Sequence, residues 1–149
     1  MSIGRTIGCL AVALAVALAP AAYARDEALH LPIKEVTEDA GNKARLGSDV
    51  ALYFGAQATP AIETALGTAS TSKKTNAFNK GDAEACRWAM LSALLTLVSS
   101  ARSRGADAVV DIRSNYQHVE FSSETEYECH AGNLMAGVAF TGRLVKLKK

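Results

Sequence analysis

Two cysteines on either side of the strongest helix signal constrain the fold of this chain more than any other feature. Cys86 begins a helix-patterned segment, and Cys129 lies in a strand-patterned segment near the C-terminus. The third cysteine, Cys9, lies within an N-terminal stretch that has the pattern of an export signal. In an oxidising compartment, two cysteines of a small exported domain usually pair. The sequence therefore predicts a helix joined to a sheet by a Cys86–Cys129 disulfide.

The N-terminal segment has the three parts of a cleavable signal peptide. Arg5 supplies a positive charge, residues 7–19 are almost purely apolar, and Ala22 and Ala24 place small residues where signal peptidase inspects the chain. We therefore predict a signal peptide over residues 1–24 and a periplasmic mature protein that begins at Arg25. An uncleaved anchor is the alternative, although the apolar run is short for a membrane span.

Length and charge exclude several classes of protein. Removing residues 1–24 takes away one basic residue and no acidic one, so basic and acidic residues balance in the mature chain. Such a chain lacks the basic footprint that nucleic-acid binding needs. The basic tail at Arg143, Lys146, Lys148 and Lys149 is typical of a solvated end, and contact with a membrane or polyanion is the alternative. The remaining length of about 125 residues fits one domain.

The first half of the mature chain carries weak structural signals. Residues 25–48 are mixed and charged, which indicates an N-terminal lead-in with at most one short strand, around residues 31–36. Residues 50–54 have strand composition and are followed by a glycine. Residues 56–80 are rich in Ala, Thr, Ser, Lys and Asn and contain a proline and a glycine, so we predict a long loop there.

A helix over residues 82–104 is the clearest prediction. Asp82 is a suitable N-cap, and Gly105 follows the last turn, where glycine commonly ends a helix. Apolar residues recur at helical spacing, whereas a serine- and threonine-rich face is more polar. The predicted apolar stripe consists of Cys86, Met90, Ala93, Leu94, Leu97, Val98 and Ala101.

Strand patterns follow the helix and define the fold class. They cover residues 108–113, 116–121, 125–130 and 135–147, with a break in the last strand expected at Gly142. One helix followed by several strands predicts an α+β domain over residues 49–149, in which the helix covers one face of a mostly antiparallel sheet.

The candidate binding residues surround Cys129. Glu124, Glu126 and Glu128 alternate, so on a strand they share one face and could bind a cation or a basic partner together with His130. Such a stripe is also typical of a solvated edge strand that resists aggregation. His118 is a further candidate for binding.

A thiolate metal site is the alternative to the disulfide, and it would use His130 and His118. Adjacent residues on a strand point to opposite faces, so Cys129 and His130 would not easily converge on one ion. The three histidines, His30 included, show no metal-ligand spacing. Each of them is more typical of an ordinary hydrogen bond than of a metal ligand.

Catalytic and cofactor motifs are missing from the sequence. It contains no Gly-x-Ser-x-Gly elbow, no phosphate-binding Gly-x₄-Gly-Lys loop and no dinucleotide fingerprint. We therefore predict a protein that is not an enzyme, and we assign it no cofactor.

Three segments together resemble known proteins. They are Ala85-Cys86, the helix exit Gly-Ala-Asp-Ala-Val-Val-Asp-Ile over residues 105–112, and Tyr-Glu-Cys-His-Ala-Gly over residues 127–132. The pattern resembles small exported bacterial proteins often mislabelled "excinuclease ATPase subunit". It is more distantly similar to YbjQ-type domains, which carry a heavy-metal-binding label, and to the lipoprotein that senses envelope stress for the Rcs phosphorelay.

The resemblance covers roughly residues 50–147. It implies a helix on a small sheet and cysteines that pair. The chain departs from the stress sensor in having no lipidation motif and only one mature cysteine pair.

These observations favour a non-enzymatic periplasmic protein that binds another envelope component as a sensor, inhibitor or accessory protein. A periplasmic metal- or small-ligand-binding protein is the alternative. We expect an envelope protein as partner, no nucleic acid and no stable membrane insertion after cleavage, and the sequence leaves self-association open.

The first prediction concerns processing. N-terminal sequencing of the protein recovered from the periplasm should read Arg-Asp-Glu, because small residues at Ala22 and Ala24 mark the peptide bond before Arg25. Recovery of the full-length chain from membranes would contradict cleavage.

Overall fold

A computed structural model describes residues 24–149, so the predicted signal peptide, apart from Ala24, lies outside the described residues. The described chain forms a seven-stranded sheet with one long helix against it. Its elements are β1 (Glu27–Pro32), α1 (Lys34–Thr37), α2 (Ala40–Leu46), β2 (Ala51–Phe54), β3 (Ile62–Asn76), α3 (Asp82–Ser103), β4 (Ala108–Tyr116), β5 (Val119–Phe121), β6 (Glu126–Ala131) and β7 (Met135–Leu147).

The sheet is built around β7. The strand order is β1-β6-β7-β4-β2, with β3 also paired to β7 and β5 paired to β4. Every pairing is antiparallel except that of β2 with β4. The prediction of one main helix on a mostly antiparallel sheet is thus confirmed.

The apolar face of α3 forms the centre of the core. The whole predicted stripe from Cys86 to Ala101 is buried, and Ser92 and Ser99 on the other face are exposed. The stripe packs on side chains from three strands of the sheet. These are Val109 and Ile112 of β4, Tyr127 of β6, and Phe140 and Leu144 of β7. Within the described residues, no helix has both the length and the apolar character needed to cross a membrane.

The start of α3 differs from the prediction. Gly81 is the N-cap residue, and Asp82 is the first helical residue. The Asp82 carboxylate accepts hydrogen bonds from the Arg25 guanidinium, so it ties the chain before β1 to the start of the helix instead of capping the helix. At the other end, Gly105 has a positive φ of 70°, as predicted for a residue that terminates a helix.

The prediction of a long loop over residues 56–80 is wrong for most of its length. Residues 62–76 form β3, which pairs with β7 along nearly its whole length. In the described chain β3 has no strand on its other side. An edge strand needs little apolar surface, so its serines, threonines and lysines resemble a loop in composition. The pairing register also shifts near Gly67, whose φ is +102°. This shift interrupts the alternation of inward and outward side chains by which a strand is identified in a sequence.

Residues 25–48, which we described as a lead-in, are part of the folded domain. β1 pairs with β6 over residues 27–32, a few residues before the strand expected around 31–36. The two short helices that follow bury Ile33, Val36 and Leu46 in the core. Helices of four and seven residues are too short to show a helical repeat in the sequence.

Two further differences concern the C-terminal strands. β4 continues through Ser114 and Asn115, where a turn was expected, and the chain reverses instead at Gln117 and His118. Both of these residues have positive φ, at 49° and 65°. In addition, β7 runs unbroken through Gly142, where a break was expected.

The buried face of α3 provides a stability prediction. Leu94→Ala should lower the free energy of unfolding by about 2–5 kcal/mol, because Leu94 is fully buried beneath the helix. Thr96→Ala removes a methyl group and a hydroxyl that donates to the Ser92 carbonyl from a half-buried position, so we expect a loss of about 1 kcal/mol or less. Chemical denaturation measures both, and equal losses would show that the buried face is misassigned.

Candidate functional site

A disulfide joins the first part of α3 to the sheet. Cys86 lies on the helix and Cys129 on β6, and their Cα atoms are 5.9 Å apart. Both residues are fully buried. The bond therefore holds β6 against the helix from inside the core, as the sequence predicted.

Side chains alternate along β6, so one set faces the core and the other set forms a polar surface on the opposite face of the sheet. Tyr127 and Cys129 are buried on the side of α3. Glu126, Glu128 and His130 alternate with them and therefore point to the opposite face of the sheet. Cys129 and His130 thus have opposite orientations, as expected for neighbours on a strand.

Glu128 is the centre of a hydrogen-bonded group on that opposite face. Its side chain is only 13% exposed. The Ser114 hydroxyl donates to Oε1 at 3.0 Å, and Nε2 of His130 lies 3.3 Å from the same oxygen. Nε2 of His30, the cross-strand neighbour of Glu128, lies 3.4 Å from Oε2. The carboxylate is therefore held in place, unlike the freely solvated side chain of an edge strand.

Two aromatic rings cover the two imidazoles. Tyr116 stacks on His130 with ring centroids 3.5 Å apart, and Phe121 stacks on His30 at 4.1 Å. Tyr116 ends β4 and Phe121 ends β5, so both belong to the hairpin that these strands form. The stacked pairs therefore tie this hairpin to β6 and β1.

Asp26 completes the group on the side of His130. Its carboxylate lies 3.0 Å from Nδ1 of His130 and accepts a hydrogen bond of 3.3 Å from the Tyr116 hydroxyl. The pKa of Tyr116 is raised, first because burial disfavours the phenolate and second because the Asp26 carboxylate is negative. We refer to the following seven residues as the histidine–glutamate cluster: Asp26, His30, Ser114, Tyr116, Phe121, Glu128 and His130.

The other residues that the sequence analysis proposed for binding, Glu124, Glu126 and His118, lie outside this cluster. Glu126 is exposed on β6, one alternation before Glu128. Glu124 is exposed in the preceding loop, where its backbone carbonyl accepts a hydrogen bond from Gln57. His118 is exposed in the β4–β5 turn and has no side-chain hydrogen bond to another described residue. A binding role for these residues stays a prediction.

Sequence reasoning missed His30, Ser114, Tyr116, Phe121 and Asp26. Three of them, His30, Ser114 and Tyr116, lie in parts of strands that the sequence analysis did not assign as the structure has them. His30 meets Glu128 only through the β1–β6 pairing, and Ser114 and Tyr116 belong to the part of β4 beyond the expected turn. An extended β4 could have been anticipated from the Ser-Asn-Tyr sequence, because tyrosine is common in strands.

An open cavity of about 360 Å³ adjoins the cluster. His130, Tyr116 and Asp26 line one side of it, and Lys74 and Met135 line another. The cavity therefore extends from the cluster to the β6–β7 turn. Within residues 24–149, no group of three or more His, Cys, Asp or Glu side chains has the arrangement of a metal site.

Comparison with known proteins does not assign the chain to a family. No family model matches the sequence, and neither the curated proteins nor the solved structures contain a significant match. The geometry of the cluster and its surroundings is therefore the basis for the functional argument.

The disulfide provides the prediction of this subsection. Thiol titration of the exported protein, unfolded without reductant, should detect no free thiol from Cys86 and Cys129. Replacing both with alanine should lower the free energy of unfolding by roughly 4 kcal/mol, because the bond closes a loop of 43 residues. Two titratable thiols in the purified protein would contradict the pairing.

Proposed function

We propose that this protein is a non-enzymatic, exported domain that binds a basic surface of another envelope component. The binding surface is the sheet face opposite α3, with Glu128 at its centre and Glu124 and Glu126 beside it. The observation that supports the proposal best is that Ser114 and two histidines fix the Glu128 carboxylate on the sheet face opposite α3.

The composition of the surface favours a cationic partner. Glu126 is exposed two residues before Glu128 on β6, Glu124 is exposed in the preceding loop, and Asp26 is 45% exposed at the other side of the cluster. Carboxylates bind Lys and Arg side chains by charge-assisted hydrogen bonds. His30, whose side chain is 44% exposed and already stacked on Phe121, adds a flat surface at the rim.

Rigidity is the second argument for a binding role. The disulfide holds β6 from the core side, and the hairpin holds it from the other side through stacked rings. Groups that are already ordered lose little conformational entropy when a partner binds. This surface can therefore bind a partner without first becoming ordered.

The sequence is the basis for inferring the compartment in which the protein acts. The export signal and the pairing of the cysteines favour an oxidising compartment outside the cytoplasm. The resemblance to small exported proteins and to an envelope-stress sensor points in the same direction. We infer a periplasmic role as sensor, inhibitor or accessory protein.

Binding of a small cationic ligand is the alternative function. It is favoured by the cavity of about 360 Å³ that adjoins His130 and Asp26. Equilibrium dialysis of the purified protein against Zn²⁺ and against a polyamine separates the two proposals. Stoichiometric binding of either at micromolar concentration would favour the alternative.

The test of the proposal compares exposed and fixed carboxylates. A Glu124→Gln/Glu126→Gln variant should keep the melting temperature of the natural protein, because exposed charges contribute little to stability. It should nevertheless capture less of its partner from a detergent extract of the envelope, with the largest difference at low salt, where charges are screened least. Adding Glu128→Gln should reduce capture further.

Glu63→Gln/Glu84→Gln is the matched control, because both residues are exposed carboxylates outside the cluster. It should capture the partner as the natural protein does. Full capture by the triple variant of Glu124, Glu126 and Glu128 would show that these acids do not bind the partner.

A further inference from the structure

A second surface lies at one end of the sheet, and it is apolar. Phe78, in the connection from β3 to α3, is 61% exposed. Leu134, in the turn from β6 to β7, is 63% exposed, and Met135, the first residue of β7, is 47% exposed. A hydrogen bond of 2.8 Å from the Ala77 amide to the Leu134 carbonyl joins the two loops. We refer to Phe78, Leu134 and Met135 as the apolar tip.

The tip combines large apolar side chains with a fixed backbone. Asn76 pairs with Met135, so the loops emerge from neighbouring strands at the same end of the sheet. Single exposed apolar residues are common on soluble proteins, but three large ones on adjoining loops mark an interaction surface.

The charges around the tip are compatible with a lipid surface. Lys74 and Lys80 flank it, and within residues 24–149 neither forms an ion pair. The nearby carboxylate of Asp82 is paired with Arg25. Glu84, in the first turn of α3, is exposed and forms no ion pair with another described residue. Amino groups beside inserted apolar side chains attract anionic headgroups.

The chain also enters the domain at this end. Ala24 lines the same cavity as Leu134 and Met135. In the sequence, the apolar run of residues 7–19 ends a few residues before Ala24.

We propose that the apolar tip docks the domain onto the surface of an anionic phospholipid bilayer by inserting Phe78, Leu134 and Met135 among the headgroups, with Lys74 and Lys80 contacting phosphate. This docking uses residues outside the histidine–glutamate cluster. It therefore adds a membrane contact to the proposed partner binding and does not depend on it.

Vesicle binding tests the proposal directly. Protein purified from the periplasm should co-sediment with vesicles of phosphatidylethanolamine and phosphatidylglycerol. Phe78→Ser/Leu134→Ser/Met135→Ser should lower the partition coefficient about tenfold or more, because the variant loses three apolar side chains that would leave water. Both proteins carry the same N-terminus, so the difference isolates the tip.

Two controls define the specificity of the effect. Val119→Ser removes an exposed apolar side chain from the β4–β5 hairpin and should leave vesicle binding unchanged. Lys74→Gln/Lys80→Gln should weaken binding to vesicles that contain phosphatidylglycerol and should not affect the weaker binding to pure phosphatidylcholine. Equal losses for Val119→Ser and the tip variant would overturn the proposal.

A fluorescence experiment covers the case in which the triple variant does not fold. Trp88 is the only tryptophan, so Phe78→Trp in a Trp88→Phe background places a single reporter at the tip. Its emission should shift to the blue on addition of vesicles and should be quenched by brominated lipid chains. An unchanged spectrum would overturn the proposal, as would a tip-dependent dimer in the absence of lipid, which would identify the tip as a contact between two copies.

The two proposals fail in different ways. Loss of vesicle binding with normal capture of the envelope partner is expected for the tip variant, and the reverse is expected for the Glu124, Glu126 and Glu128 variant. If the natural protein does not bind vesicles but captures its partner, the docking proposal is wrong and the proposed function stands.

Discussion

The contact between α3 and β6, closed by the Cys86–Cys129 disulfide, is the constraint on which the rest of the structure depends. Because side chains alternate along a strand, fixing Cys129 in the core also fixes the direction of its neighbours. Glu128 and His130 then must lie on the other face of the sheet. One covalent bond inside the core therefore determines the orientation of the polar group outside it.

The histidine–glutamate cluster is a costly way to attach a hairpin. A mostly buried carboxylate such as Glu128 loses much of its hydration, and leaving it unpaired would cost several kcal/mol, on the order of 3–5 kcal/mol. Ser114, His30 and His130 offset that loss. Apolar side chains of similar size could hold the hairpin at lower cost. The presence of ionisable groups at this position is therefore an argument for recognition, and the capture experiment with charge-neutralised variants measures it.

The sequence predicted those parts of the fold that have a strong local pattern. The α3 stripe around Leu94 shows a long helical repeat, and Cys86 and Cys129 are chemically distinctive, so the helix and the disulfide were both predicted. β3 was missed because an edge strand is selected for low aggregation and not for apolar burial. The cluster could not be predicted because His30 and Glu128 are 98 residues apart and meet only through the β1–β6 register.

The histidine–glutamate cluster and the apolar tip are neighbours, and their arrangement bears on how the domain would be oriented at a membrane. His130 and Met135 line the same cavity, so the cluster lies just behind the tip. An anionic bilayer attracts Lys74 and Lys80 but repels Glu126 and Asp26, so the docking proposal predicts an orientation in which these carboxylates are turned away from the lipid. In that orientation the tip is at the membrane while the cluster faces the aqueous side. A basic envelope partner could then reach Glu128 without displacing the domain from the bilayer.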